Sequence, residues 1–327
     1  MSNSLSVIIP TKNRPIDLNL TVESLFQQSA LPIQLVVVDQ SQTEESKERV
    51  ERSFAEASSA VRKRIQLCYI LDAAITSLTA ARNRGAERAQ GDIWLFLDDD
   101  VFLEASFVEE VLAVYQRYPR ASGVSGIVSN YRRPPIAFRL WASVFARGPF
   151  HDERQPIYRR ADRLRNAEPI AVRKLGGGLM SFRAGAIRGS RFDENLRGVS
   201  DGEDVDFCAR LGPDALLVIA PRARLVHKMS PIGRTQDHWV RRFAQANFYL
   251  YHRNWKTGLR NRLSFAWLNA GLALVAAIAS FKQGSPAPLR ALIKGVREGR
   301  KTGRTAIHTQ AKLQPMGAQG GKHEHGE

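Results

Sequence analysis

Cysteine is scarce in this 327-residue chain: Cys68 and Cys208 are the only two, and no CxxC occurs. A disulfide framework and a structural zinc site are therefore excluded. The first ten residues (MSNSLSVIIP) lack a basic stretch followed by a long apolar run. That predicts no secretory signal and a protein kept in the cytosol. Neither GxGxxG after the first apolar run nor GxxxxGK[ST] is present, which argues against a dinucleotide fingerprint and a P-loop. A phosphate-bearing ligand would need a cation in place of a glycine-rich cradle. Acidic residues are missing from one region: residues 222–327 hold 19 Lys and Arg against 4 Asp and Glu, whereas residues 1–221 hold 29 against 28. The net charge of +16 is thus a basic C-terminal third on a near-neutral body. It suggests attraction to an anionic surface more than a basic nucleic-acid-binding body.

What is present reads as a folded chain. Hydrophobic residues at 43% and charged residues at 24% are globular values, and the length suits one large or two fused domains. Apolar runs at 5–9 (LSVII), 34–38 (QLVVV), 65–71 (IQLCYIL) and 93–97 (IWLFL) predict strands. Between them, 15–28, 43–60 and 76–90 read as helical. Such alternation implies an α/β fold with a mainly parallel sheet covered on both faces. Residues 131–173, rich in Arg, Pro and aromatics, read as an excursion over the sheet. Regular structure returns at 175–183, as a helix near 203–211, and as two short strands near 215–219 and 223–227. From 235 the pattern is helical, and 301–327, polar and Gly-containing, reads as disordered. Residues 263–281 run 19 residues without a charge, but six are Ala and one is Asn269. With Arg260, Arg262 and Lys282 flanking them, an interfacial or re-entrant helix fits better than a span.

Ligands of a doubly wound sheet sit at the carboxyl ends of its strands. Pro10-Thr11, Asp39 and Asp98-Asp99-Asp100 fall there. Three adjacent carboxylates repel unless a cation neutralises them, and Mg²⁺ or Mn²⁺ suits carboxylates plus phosphate oxygens. Alternation puts Asp98 and Asp100 on one side and Asp99 on the other. A plainer alternative is an acidic turn capping the next helix. The second cluster, Asp201-Gly202-Glu203-Asp204-Val205-Asp206, opens a helix with Asp201 as a candidate N-cap; the functional alternative is a carboxylate base facing the metal.

Six strings in order, SVIIPTKNR (6–14), VVVDQS (36–41), LTAARNRGAERAQGDIWLFLDDD (78–100), GGGLMSFR (176–183), RFDENLRGVSDGEDVDFCARL (191–211) and LVHKMS (225–230), resemble the inverting glycosyltransferases of family 2, with the GT-A fold. The resemblance covers residues 5 to 228. It implies a GT-A domain over 1–230, with 131–173 on the acceptor side. Beyond it lie a basic helical region at 231–300 and the tail at 301–327. It implies that Pro10, Thr11, Arg14, Asp39, Arg82, Asn83, Asp98 and Asp99 hold a nucleotide sugar, with Asp39 accepting from the base. Asp98 and Asp100 match the ends of the DxD motif. Asp100, His227 and Asp98 would hold Mg²⁺ or Mn²⁺. Glu203-Asp204 matches the pair that supplies the general base, with Asp204 favoured. Apart from the resemblance, Gly176, Gly177 and Gly178 either let backbone approach the donor sugar or acceptor or form a turn, and Trp141, Phe145 and Phe150 either wall the acceptor or pack on the surface.

One departure is visible: the second strand ends Asp39-Gln40-Ser41-Gln42, where the family usually has two aspartates and Gly-Ser. Uridine, thymidine and guanosine diphosphate sugars all stay open as donors. The expected acceptor is a glycan or lipid-linked hydroxyl in cell-surface polysaccharide synthesis, at the inner face of the plasma membrane. The rivals are a metal-dependent nucleotidyltransferase or phosphohydrolase, and a basic nucleic-acid-binding protein.

Overall fold

A computed structural model describes residues 3–196, 201–230 and 239–313. Among them, strands β1 (Leu5–Thr11), β2 (Gln34–Asp39), β3 (Gln66–Leu71), β4 (Ile93–Leu97), β5 (Val101–Leu103), β6 (Ala121–Val128), β7 (Ile170–Val172), β8 (Leu179–Arg183) and β9 (Leu216–His227) form one sheet. Its order is β3-β2-β1-β4-β8-β6-β9-β5, with β7 on β9. Six strands share one direction, while β5, β7 and β8 run against them. The sheet is mixed and mostly parallel, with helices on both faces.

Burial on both faces explains why β1 and β2 are unbroken apolar runs. Along β1, Val7 and Ile9 enter one core with Leu18, Val22 and Leu25 of helix Pro15–Phe26. The intervening Ile8 enters the opposite core with Ala81 of helix Leu78–Ala86 and Phe207 of helix Glu203–Arg210. A one-residue slip of register would exchange the two sets.

Several expectations change in detail. The 43–60 stretch splits into helices Glu45–Glu56 and Ser59–Arg64, because Ser58 caps the second through Val61 N–H. The strands expected at 215–219 and 223–227 are one strand, β9. Its pairing with β6 jumps from Ser125–Ile219 to Ile127–Arg224. Pro221 sits in that bulge, where its missing N–H breaks no ladder. The excursion carries helices Ile136–Phe145 and Arg154–Arg159 and then returns to the sheet as β7.

The C-terminal region is helical: Trp239–Leu250, Leu259–Gln283 and Ala287–Leu313. Helix therefore continues to Leu313 where disorder was expected from 301; residues 314–327 lie outside the described residues. Gly295 and Gly299 explain the first half of this helix. A Cβ there would lie 2.3 Å from Arg241 O and 2.4 Å from Gln245 O, so the glycines set a close helix–helix contact. Helix Leu259–Gln283 is long and apolar enough to cross a membrane. It buries Leu268, Leu272 and Ala276 while leaving Leu263, Trp267, Leu274, Ile278 and Phe281 exposed. Trp141 ties the excursion to it, donating its indole N–H to Gly271 O at 2.9 Å.

Candidate active site

The strand ends bring the acidic residues together. After β4 the chain turns at once into β5, a strand the sequence reading did not foresee, so Asp98–Asp100 occupy a tight turn. Their side chains still part as alternation requires. Asp99 points back to β1: Thr11 Oγ1 donates to it at 2.6 Å and Arg14 Nη1 at 2.8 Å. Burial pushes the Asp99 carboxyl up to about 6, against the opposing charge of Arg14. Asp98 and Asp100 approach His227 at the end of β9, and donor atoms of the three lie within 4.8 Å of one another, while Arg14 Nη1 also lies 3.5 Å from Asp100 Oδ2. His227 Nε2 is 2.8 Å from Asp100 Oδ1, and Ser230 N–H donates to Asp100 Oδ2 at 2.9 Å. Although burial opposes it, the hydrogen bond and charge of His227 hold the Asp100 carboxyl below its ordinary value. Two carboxylates and an imidazole converging from two strand ends are a donor set for a divalent cation.

Asp39 is fully buried at the end of β2. Ser41 donates to Oδ1 through its N–H and its hydroxyl, and Tyr69 O–H donates to Oδ2 at 2.7 Å. Burial, reinforced by Asp39, raises Tyr69 far above its ordinary value, so it stays a donor. The departure at 40–42 thus has a structural consequence: Ser41 satisfies the carboxylate that a base was expected to meet. Oδ1 accepts twice and Oδ2 once, which leaves one acceptor position, on Oδ2, for a further donor. Pro10 pairs with Val38 inside the sheet and is buried.

Arg82 and Asn83 are neighbours on one helix with different tasks. Arg82 donates to Glu203 Oε1 and to Gly177 O, each at 2.8 Å, and lies 3.5 Å from Asp98 Oδ1. It therefore links the two acidic clusters. Asn83 instead clasps the segment before the second cluster, bonding both Phe192 backbone groups and Glu194 Oε1. Its amide is buried, and every partner it has lies in the Phe192–Glu194 segment.

In the second cluster the helix starts at Glu203, as expected, but its N-cap differs. Gly202, at φ 93°, is the N-cap, and Asp201 is drawn away to Arg242 at 2.8 Å. Glu203 is buried against Arg82. Burial, with the Asp204 charge added, pushes Glu203 up to about 7, while Arg82 opposes. Asp204 is half-buried, its side chain 14% exposed against 10% for Glu203. Gly177 N–H donates to its Oδ2 at 3.1 Å and Arg154 Nη1 at 3.0 Å. Arg154 also bonds Asp152, and it comes from the excursion. Sequence reasoning missed it among the many arginines there.

Glycine is required between the clusters. A Cβ on Gly178 would lie 2.3 Å from Asp98 Oδ2, and one on Gly177 would lie 2.7 Å from Glu203 Oε1. The glycines leave room for carboxylates as well as for a ligand. Asp204 lines a cavity of about 710 Å³ whose walls include Ile136, Leu140, Trp141, Phe150 and Leu250. Of the three aromatics singled out in the excursion, Trp141 and Phe150 line this cavity, whereas Phe145 packs at a tilt on Trp267, with ring centroids 5.1 Å apart.

A nucleotide-sugar transferase site is what this arrangement resembles, and comparison with known proteins agrees. Residues 6–182, more than half of the chain, match the model of the glycosyl transferase family 2, and the chain belongs to that family. An uncharacterized glycosyltransferase of Haemophilus influenzae is 32% identical over 117 residues, 35% of each chain. Validoxylamine A glucosyltransferase of Streptomyces hygroscopicus is 33% identical over 130 residues, 39% of this chain and 27% of that one. The matching stretch thus spans about a third of the length of these relatives. In fold, the chain is similar to the mannosyltransferase of Pyrobaculum calidifontis solved with GDP-Man and Mn²⁺. That likeness has a TM-score of 0.53 at 19% identity, covering 95% of this chain and 87% of the other. The fold is GT-A.

Proposed function

We propose that the protein is an inverting, metal-dependent glycosyltransferase that moves a sugar from a nucleoside diphosphate to an acceptor hydroxyl of a glycan or lipid-linked glycan. The observation that carries this reading is the pairing of two sites across Gly177–Gly178. Asp98, Asp100 and His227 form a cation site on one side, and Asp204 opens into an apolar cavity on the other. Asp98, Asp100 and His227 would hold Mn²⁺ or Mg²⁺, which supplies charge neutralisation for the departing diphosphate.

The chain's own residues do the rest. Gly177 N–H and Arg154 orient the Asp204 carboxylate toward the cavity. Asp204 takes the proton of the acceptor O–H as that oxygen bonds to the anomeric carbon. The anomeric C–O bond to phosphate breaks in the same step, and the nucleoside diphosphate leaves with the electron pair. Attack opposite the leaving group inverts the centre. Glu203 stays against Arg82, which keeps the two acidic clusters in register and leaves Asp204 as the base.

Two features support an acceptor presented at a membrane. The exposed apolar side of helix Leu259–Gln283 lies beside Arg260, Arg262 and Lys282, and helix Ala287–Leu313 adds exposed Arg290, Lys294 and Arg297. Each such cation near an anionic leaflet contributes about 1 kcal/mol. Sedimentation of the full chain with phosphatidylglycerol vesicles, and not with phosphatidylcholine vesicles, is the expected result. Equal recovery with both would refute the electrostatic part.

The donor site is tested by titration calorimetry with UDP, dTDP and GDP, each with Mn²⁺ and with EDTA. One nucleotide should bind with metal only, and Asp100→Ala should abolish that binding. If none binds under either condition, the donor reading fails.

A further inference from the structure

A second cavity, of about 380 Å³, lies against the first and is lined by Arg133, Arg139, Arg159, Arg160, Arg163 and Asp162. The two share Arg139, Pro156 and Arg159 along their common wall. None of the five guanidinium groups has a carboxylate partner among the described residues; Arg159 donates only to Gln155 O, at 3.1 Å. The one acid present, Asp162, lies 3.6 Å from Arg224 instead. Elsewhere in this protein arginines find carboxylates readily, as Arg14, Arg82, Arg154 and Arg242 do. Five like charges around one cavity repel, and an anion entering it would relieve that repulsion. Planar guanidinium forks are matched to phosphate oxygens in particular.

The first cavity adds the other half of the ligand. Ile136, Leu140, Trp141 and Phe150 make it apolar, and Asp204 lines it together with Asp152, which Arg154 holds. Ile136, Leu140 and Val144 continue as exposed apolar surface along helix Ile136–Phe145. Beside them stands exposed Trp267 of helix Leu259–Gln283, whose indole N–H donates to Val144 O at 2.9 Å. Anion site, apolar wall and base are therefore contiguous.

We infer that the two cavities together form the acceptor site, and that the acceptor is an amphiphile in which a phosphate or diphosphate joins an apolar chain to the glycan. The arginines hold the phosphate, the apolar chain leaves along Ile136 and Leu140, and the glycan hydroxyl reaches Asp204. This rests on the transferase reading, deepening it by naming the acceptor's chemistry.

Farnesyl diphosphate and inorganic pyrophosphate are suitable probes, titrated into the full chain in EDTA so that no metal fills the donor site. Farnesyl diphosphate should bind at least tenfold more tightly than pyrophosphate, because it engages both cavities. The double variant Arg139→Gln/Arg159→Gln should lose tenfold or more of that affinity while keeping the wild-type melting temperature and Mn²⁺-dependent nucleotide binding. Arg139→Lys/Arg159→Lys should recover part of the loss.

Wild-type affinity for farnesyl diphosphate in the glutamine variant would overturn the inference, as would failure of the wild-type chain to bind it. A variant that loses only its sedimentation with phosphatidylglycerol vesicles would show that the arginines meet bilayer headgroups, which also overturns it. Failure of the donor reading is separate: nucleotides would not bind the wild-type chain, whatever farnesyl diphosphate does.

Discussion

The carboxylate side of the site and the arginine side are built on opposite plans. On the sheet side every acid already has a protein partner: Asp39 has Ser41 and Tyr69, Asp99 has Thr11 and Arg14, Asp100 has His227 and Ser230, and Glu203 has Arg82. On the excursion side five arginines line one cavity without such partners. The difference teaches where preorganisation is placed. Buried charges left unpaired are costly, so a site cut into the core must satisfy itself before ligand arrives. Arg133, Arg139, Arg160 and Arg163 are exposed, so these guanidinium groups are hydrated and can wait for an anion.

Asp204 stands on the seam, and its loss is the largest effect expected. Asp204→Asn should lower sugar transfer by about 10²- to 10⁴-fold, the usual worth of a general base. Calorimetry should find nucleotide affinity unchanged. A parallel fall in affinity would mean that the two sides are not separable, and unchanged turnover would remove Asp204 from the role.

Gly178→Ala probes the sheet side alone. Its Cβ would press on Asp98 from 2.3 Å, so overpacking should cost about 1–3 kcal/mol in melting experiments. Metal-dependent nucleotide binding should weaken about tenfold, the equivalent of roughly 1.4 kcal/mol. Farnesyl diphosphate binding should not change. Weakening of both would erase the contrast.

The smallest effect concerns Glu203. Its carboxyl is raised from 4.5 to about 7, so folding favours its neutral form. The stability this contributes is fully present below pH 4.5 and is lost as pH rises through about 7. Thermal melting between pH 5 and 8 should therefore show a decline that Glu203→Gln makes shallower, the remainder following Asp99, whose carboxyl is raised to about 6. An identical slope in the variant would assign the decline to another group.

Legibility followed the same division. β4 was readable to the residue, because a strand buried on both faces has no polar position to blur its ends. The two acidic clusters were readable because three carboxylates after five apolar residues have few plain explanations. The partners of Asn83 were not readable, because only the path of Phe192–Glu194 brings them to it. Helix beyond residue 301 was missed because glycine was read as a sign of disorder. Gly295 and Gly299 are where one backbone meets another, which no local pattern reports. Arg154 and the arginine cavity left a compositional trace: residues 131–173 hold ten Arg and four acids. Averaging that segment into the first 221 residues hid it.

The family, the alternating α/β order and the residue types of the donor site are properties of the sequence itself, since strand period and carboxylate spacing are local. The tertiary structure decided which acids face one another, that Ser41 covers Asp39, that Arg154 reaches Asp204, and that five scattered arginines share one cavity. Those depend on where distant segments cross. Electrostatic energy varies with distance in space, and separation along the chain does not determine that distance.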